Sequence, residues 1–324
     1  MLKKIEETIK KYDLIEVREK IIVGVYGGPD SISLLDALNK INKYELIAVH
    51  INHQIREEAN SDEKYVEDYC KKNKIKFYSK RIDVINYANN NKIGLEEAGR
   101  ILRYEFFEEI AQKENAAKIA IAHNKNDKAE TIIMNIMRGA GIAGLRGIEP
   151  KKKNKYIRPL IECERAELEK YAEENNLNPR IDKTNFSNEY TRNKIRNIVL
   201  PYIKNEFNPN IIETLDRLSE VAIETDEYLK KQILKEYNQI KLEENPKKIV
   251  LNLKEFNTKE ILIRKRIILY TISKVLGNAQ NIEKVNIEDI IKLCKNNIGN
   301  KYLMPNKNIK ISVNKGRIFF EGLI

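Results

Sequence analysis

The sequence predicts an α/β protein: a doubly wound parallel sheet, then a helical linker, then a small α+β C-terminal domain. Three observations lead there. Apolar, β-branched runs recur at 21–23, 45–51, 75–82 and 118–123, and stretches apolar at helical spacing lie between them. Strands alternating with helices pack as a parallel sheet covered on both faces. After Asn208-Pro209 the alternation stops and one long helical run follows, with shorter mixed segments beyond it. The domains expected are 1–205, a linker over 206–244, and 245–324.

In chain order, residues 1–18 read as a helix leading into the first strand. Residues 32–38 begin a helix directly after it. The second strand, 45–51, is followed by a helix over 57–72. The third strand, 75–82, precedes a helix over 95–114, and the fourth, 118–123, a helix over 127–138. Four glycines in 139–147 make a tight or mobile loop. A basic run, 151–155, reads as a solvated turn, 156–161 as a strand and 164–175 as a helix. Arg192 and Arg196 stand four apart, on one helix face suited to phosphate. The linker helix runs to about residue 234, and Asn245-Pro246 breaks it. The remainder reads as a strand at 248–253, helices at 258–275 and 286–296, and a hairpin of 309–313 with 316–320.

Composition narrows the classes. The chain has 324 residues, 42% of them hydrophobic, which suffices for real cores. Lysine and arginine exceed the acids by 59 to 48, a net charge of +11, and this favours a polyanionic partner such as nucleic acid. Cys70, Cys163 and Cys294 are far apart and form no C-x-x-C, so a zinc ribbon or cysteine-bound cluster is not expected and a reducing cytoplasm fits. No apolar run approaches a membrane span, and the first residues read as an amphipathic helix rather than a leader. Whether the chain forms a homodimer is left open.

The stretch Val23-Gly24-Val25-Tyr26-Gly27-Gly28-Pro29-Asp30-Ser31 joins the first strand to its helix. A strand-to-helix junction with glycines aims backbone N–H groups and the positive end of a helix dipole at one point, where a polyphosphate fits. It is neither a G-x-x-x-x-G-K-[ST] loop nor a G-x-G-x-x-G fingerprint. It resembles instead the S-G-G-x-D-S loop of the N-type ATP pyrophosphatases (PP-loop proteins), matching at Gly27, Gly28, Asp30 and Ser31. Tyr26 departs from it, standing where that loop has serine. A tyrosine hydroxyl sits on a rigid ring further out, and the ring is expected to crowd the loop and weaken ATP binding. Gln54 and Lys183 are lesser departures.

Further blocks line up with the loop: His50-Ile51-Asn52-His53, Glu97 to Tyr104, His123-x-x-x-Asp127-x-x-Glu130, Arg138-Gly139-Ala140-Gly141, Arg158-Pro159-Leu160, Asp182-x-Thr184-Asn185 and Arg192-Asn193-x-Ile195-Arg196. Their order and spacing resemble the tRNA(Ile)-lysidine synthases, over roughly residues 20–205. That resemblance implies ATP and Mg²⁺ as reactants, a tRNA(Ile) with a CAU anticodon and free L-lysine as substrates, and tRNA binding by the C-terminal domain. Tyr26, Gly27, Gly28, Pro29, Asp30, Ser31, His50 and His123 are then the ATP-binding candidates, with Asp30 also facing the metal. Asp30, Asp127, Glu130 and Arg100 are the catalytic candidates. Asp127 and Glu130, on one helix face, suit the substrate ammonium and its proton. Arg103, Arg138, Asp182, Asn185, Arg192 and Arg196 are the substrate and tRNA candidates. Arg100 and Arg103 would neutralise phosphate charge. The competing readings are a nucleotide- or tRNA-binding protein whose loop Tyr26 weakens, and another adenylating ligase of the same superfamily.

Overall fold

Ile21, Ile22 and Val23 carry apolar side chains to both faces of one strand, so that strand belongs inside a sheet covered twice. In the computed structural model, which describes residues 1–54, 59–180, 188–279, 282–296 and 301–323, they lie in β1 (Lys20–Gly24). With β2 (Glu45–Asn52), β3 (Lys76–Arg81), β4 (Lys118–Ala120), β5 (Lys151–Lys152) and β6 (Tyr156–Ile157) it forms a sheet ordered β3-β2-β1-β4-β6-β5. All neighbouring pairs are parallel except β5 with β6. Ile22 pairs with Ile47 on one side and Ile119 on the other.

Helices cover both faces. On one, Ile21 and Val23 pack with α1 (Leu2–Lys11), α2 (Pro29–Ile41), α3 (Ala59–Lys72) and α8 (Arg165–Glu174), through Ile5, Leu34, Val66 and Leu168. On the other, Ile22, Ile47 and Val49 meet Phe106, Phe107 and Ile110 of α5 (Leu95–Glu114). A third cluster joins Ile132 and Ile133 of α6 (Lys125–Met137) to Ile195, Leu200, Ile212 and Leu215. The last four come from a run of α9 (Thr191–Lys194), a π-helical turn (Ile195–Val199) and α10 (Leu200–Glu206), and from α11 (Ile211–Ile240).

The chain divides into two compact units, Met1–Ile223 and Glu224–Ile324. The division falls within α11, so the expected linker 206–244 is shared. Ile212 and Leu215 belong to the first unit's core, and Ile233, Tyr237 and Ile240 to the second's. In the second unit, β7 (Lys241–Asn245), β8 (Lys248–Asn252), β9 (Tyr302–Asn306), β10 (Ile309–Asn314) and β11 (Arg317–Gly322) form an antiparallel sheet ordered β7-β8-β11-β10-β9. Helices α12 (Leu253–Thr258), α13 (Ile261–Leu276) and α14 (Lys284–Asn296) pack on it through Phe256, Ile268 and Ile290.

The α/β class and the small second unit agree with the sequence reading, and α5 spans the residues expected. Several boundaries differ. Helix α4 (Val84–Asn91) was not expected, because its asparagines conceal the pattern, but Asp83 caps it by accepting from the Asn86 N–H at 2.9 Å. Strand β6 stops at Ile157, since Pro159 has no N–H and the next bonds are local turns, Ile161 to Arg158 and Cys163 to Leu160. The helix expected over 258–275 is α13, which starts at Ile261, and a short helix not expected, α12, precedes it, capped by the Asn252 side chain and ended by the extended Lys259. Residues 151–152 form an edge strand rather than a solvated turn, and 142–145 form a one-turn helix, α7 (Ile142–Leu145), within the glycine-rich loop. Strands β7 and β9 are edges, rich in charge or interrupted by Pro305, and so lack the alternation of buried strands.

Gly24 is where a side chain would do most harm. A Cβ there would stand 2.6 Å from Cζ of Phe107. Gly24→Ala should therefore cost about 1–3 kcal/mol in urea denaturation, and Phe107→Leu in the same chain should recover part of it. An unchanged midpoint for Gly24→Ala would refute the close approach.

Candidate functional site

β1 has β2 on one side and β4 on the other, so chain connections leave it in opposite directions. The crevice at the carboxyl ends of such strands is where ligands bind. The glycine loop lies there. Gly27 has φ of +82°, and Gly28 is the N-cap of α2, with Pro29 in the first turn. The Tyr26 N–H donates to Ser31 Oγ at 3.0 Å, and that hydroxyl donates to the Gly28 carbonyl at 3.2 Å. The first N–H groups of α2 have no intrahelical acceptor and make an anion seat. From outside, the Arg180 N–H bonds the Gly27 carbonyl at 2.9 Å.

Tyr26 does not lie across this seat. Its ring turns toward α5 and packs on Phe107, with ring centroids 6.4 Å apart. The Arg103 guanidinium stands 5.1 Å from its ring centre. Burial pushes the phenol up to about 12, so it stays protonated. The expected crowding of the loop is absent because the space beside Gly24 admits the ring.

Asp127 and Glu130 come together on α6, and both are buried. Asp127 also completes a capping box with Asn124. Three arginines close on the pair. Asp127 Oδ1 accepts from Arg192 and Arg196 at 3.1 Å each and from Arg165 at 3.4 Å. Glu130 accepts from Arg196 Nε at 2.7 Å and Arg192 Nε at 2.9 Å. Burial pulls the Asp127 carboxyl upward, but Arg192, His123, Arg165 and Arg196 together hold it below the ordinary value. The carboxylates that the sequence offers to a substrate ammonium therefore meet guanidiniums of their own chain here.

Asp30 is nearby and different. Burial, then the Asp127 charge, push its carboxyl up to about 6. Among the described residues its Oδ1 has no hydrogen-bond partner. His50 is buried and donates from Nδ1 to the Val25 carbonyl at 2.9 Å, which leaves Nε2 as an acceptor. His123 Nδ1 accepts from Arg158 Nε at 3.2 Å. Burial lowers His123 to about 4, so it is neutral, with its proton on Nε2.

Two cavities flank the loop. One, of about 550 Å³, is lined by His50, Asn52, Gly99, Tyr190 and Arg192 among others. The second, of about 770 Å³, is lined by Asp30, Ser31, His123 and Arg196 and by Arg165, Glu169 and Glu173 of α8, among others. Tyr26, Gly28 and Arg103 border both. Not all the sequence candidates gather here. Arg100 is exposed on α5 and lines neither cavity, since Arg103 occupies the face toward the loop. Arg138 is exposed at the far end of α6 from Asp127. Asp182 and Asn185 lie outside the described residues.

The structure adds Arg165, Glu169 and Glu173, which the sequence reading passed over. They stand four residues apart on one face of α8, but where that face points shows only once the helix is placed. They reach the site because α8 follows β6, which pairs with β4 beside the loop. Arg158, quoted only as part of a block, follows the end of β6 and is explained by the same rule.

An orphaned carboxylate oxygen at the seat for a polyphosphate suits a hard divalent cation. Magnesium takes one or two carboxylates and completes its shell with phosphates and water. The residues present fit that pattern: Asp30 would be the protein ligand, and no group of three or more acidic, His or Cys side chains is poised for a metal among the described residues.

A parallel sheet with a helix-borne glycine loop at its switch point defines an ATP-binding protein of the PP-loop class. The PP-loop domain family matches residues 1–203. The tRNA(Ile)-lysidine synthase of Clostridioides difficile is 43% identical over 98% of this chain and 70% of its own length. That of Clostridium tetani is 46% identical over 97% of this chain and 68% of its own. Among solved structures, the U34-tRNA thiolase of Methanococcus maripaludis shares the fold, with a TM-score of 0.55 at 22% identity, over 68% of this chain and 77% of that one. The chain belongs to the tRNA(Ile)-lysidine synthase family.

A pH dependence follows from His123. Its folded value lies below that of an exposed histidine, so the unfolded chain binds the proton first as pH falls. The stability from keeping it neutral is present above about 6.5 and is lost between about 6.5 and 4. His123→Gln should flatten that loss, by on the order of 1–2 kcal/mol at pH 5 relative to pH 7.5. Thermal melts at the two values measure it, and parallel losses in both proteins would contradict the neutral imidazole.

Proposed function

We propose that this chain makes lysidine in tRNA. ATP adenylates the C2 oxygen of the cytidine at the first position of the CAU anticodon of a minor isoleucine tRNA, and pyrophosphate leaves. The ε-amine of free lysine then attacks C2, and AMP leaves. The base thereafter reads A instead of G, and the tRNA accepts isoleucine instead of methionine. The work is cytoplasmic, where tRNA is modified.

The observation that carries this reading is the pairing of an anion seat with a cavity lined by both arginines and glutamates. The N–H groups of the glycine loop hold the departing pyrophosphate. Arg103, at the border of both cavities, neutralises charge that grows on the α-phosphate. Asp30 would hold Mg²⁺, which would supply positive charge to the phosphate oxygens. The larger cavity suits a zwitterionic amino acid with a cationic side chain. Its carboxylate meets Arg165 and Arg196, and its α-ammonium meets Glu169 and Glu173. As Arg165 and Arg196 turn to that carboxylate, Asp127 and Glu130 are released to hold the ε-ammonium and receive its proton. Arg192 and the basic second unit, with Arg264-Lys265-Arg266, contact the tRNA.

Release of AMP from labelled ATP tests the reading. It should require both lysine and the CAU isoleucine tRNA, with the Arg103→Ala rate roughly 10²–10³-fold lower. AMP formed equally well without tRNA would point to a small-molecule ligase.

A further inference from the structure

The glycine loop carries no cation of its own. Between Gly27 and Ser31 there is no lysine or arginine, and Tyr26 stands where similar loops have a serine hydroxyl. Arg165, Arg192 and Arg196 are engaged with Asp127 and Glu130. Arg103 is not. Its Nε has a long bond to the Gly99 carbonyl, 3.4 Å, within its own helix. Its guanidinium also stands over the Tyr26 ring, 5.1 Å from the ring centre. Among the described residues no carboxylate forms an ion pair with it.

Tyr26 is itself held firmly. Its ring leans on Phe107, tilted 46°, and Phe107 lies edge-on to Tyr104 at 6.5 Å. Gly24 leaves the room: its missing Cβ would stand 3.3 Å from the Tyr26 hydroxyl. A guanidinium held over an aromatic ring loses much of its freedom before any ligand arrives.

We infer that Tyr26 is a positioning residue for Arg103: its ring holds the guanidinium at the mouth of the glycine loop, where it supplies to phosphate the contact that a serine would have made. This rests on the nucleotide-binding role proposed above. Tyrosine here is then a change of means, from a hydroxyl on the loop to a guanidinium aimed at it. The pair borders both cavities together with Gly28, so the charge faces the place where α- and β-phosphates separate.

Equilibrium binding of ATP, inorganic pyrophosphate and adenosine to the full chain tests this, using Tyr26→Phe, Tyr26→Ala, Arg103→Ala and the double variant Tyr26→Ala/Arg103→Ala. Arg103→Ala should weaken ATP and pyrophosphate about tenfold. Tyr26→Ala, which removes the ring without restoring a serine hydroxyl, should do nearly the same, and the double variant no worse than Arg103→Ala alone. Tyr26→Phe, which keeps the ring and its packing on Phe107, should bind like the parent. Adenosine, without phosphate, should bind all five proteins alike. Pyrophosphate bound by Tyr26→Ala as tightly as by the parent would overturn the inference. So would losses that multiply in the double variant, or a loss of adenosine binding in Tyr26→Ala. If the binding pattern holds while the parent forms no AMP with tRNA and lysine, the inference stands and the proposed reaction fails.

Discussion

Two buried carboxylates on one face of α6 govern the layout of the site. Asp127 and Glu130 sit where water cannot solvate them, and an uncompensated charge there would cost several kcal/mol. Three guanidiniums from two separate stretches answer them: Arg165 from α8, and Arg192 and Arg196 from the continuous run of α9 and the π-helical turn. The π turn is a widened turn of a kind that recurs at functional sites. The cluster ties together segments distant in sequence and leaves one positive charge in excess. The opposite face of α6 is held the same way, with Lys125 and Lys128 meeting Asp216 of α11 at 3.2 and 2.6 Å. Helix α6 is thus fixed by ion pairs on both sides, and apolar contact completes the job at Ile132 and Ile133.

How much of this was legible beforehand depended on the range of the interactions. The alternation of apolar strands and helices showed the α/β class, and the rule that ligands gather at strand carboxyl ends brought Gly27–Ser31, His50 and His123 together. Asp127 and Glu130 were visible as a pair three residues apart. Their partners were not. Arg192 and Arg196 could be read as a paired-arginine face, but nothing in the local sequence says that the face turns inward to carboxylates. Arg165 becomes visible only once β6 is set beside β4. Arg100 misled for the converse reason: it and Arg103 look equivalent in sequence, and only the helix phase separates them. Tyr26 misled through size. A bulky ring beside two glycines suggests obstruction until Gly24, two residues earlier, is seen to leave room for it.

The proposed reaction separates two tasks. In it the glycine loop, Asp30 and Arg103 take the phosphates. The larger cavity, lined by Arg165, Arg196, Glu169 and Glu173, takes the dipolar amino acid. Among the described residues only Tyr26, Gly28 and Arg103 border both cavities, so the reacting atoms of the two proposed substrates would meet at a narrow place. Proximity of this kind reduces the entropic part of the barrier. The loop's neighbours differ in protonation because burial dominates at Asp30 and His123, whereas arginine charges outweigh burial at Asp127. Asp30 is raised to about 6 and His123 lowered to about 4, while Asp127 is held low.

The most direct measurement is incorporation of labelled lysine, with ATP and Mg²⁺, into two transcripts that share the CAU anticodon: the minor isoleucine tRNA and the initiator methionine tRNA. The account predicts label in the isoleucine transcript alone. Label in neither, under conditions where the tRNA is bound, would contradict it.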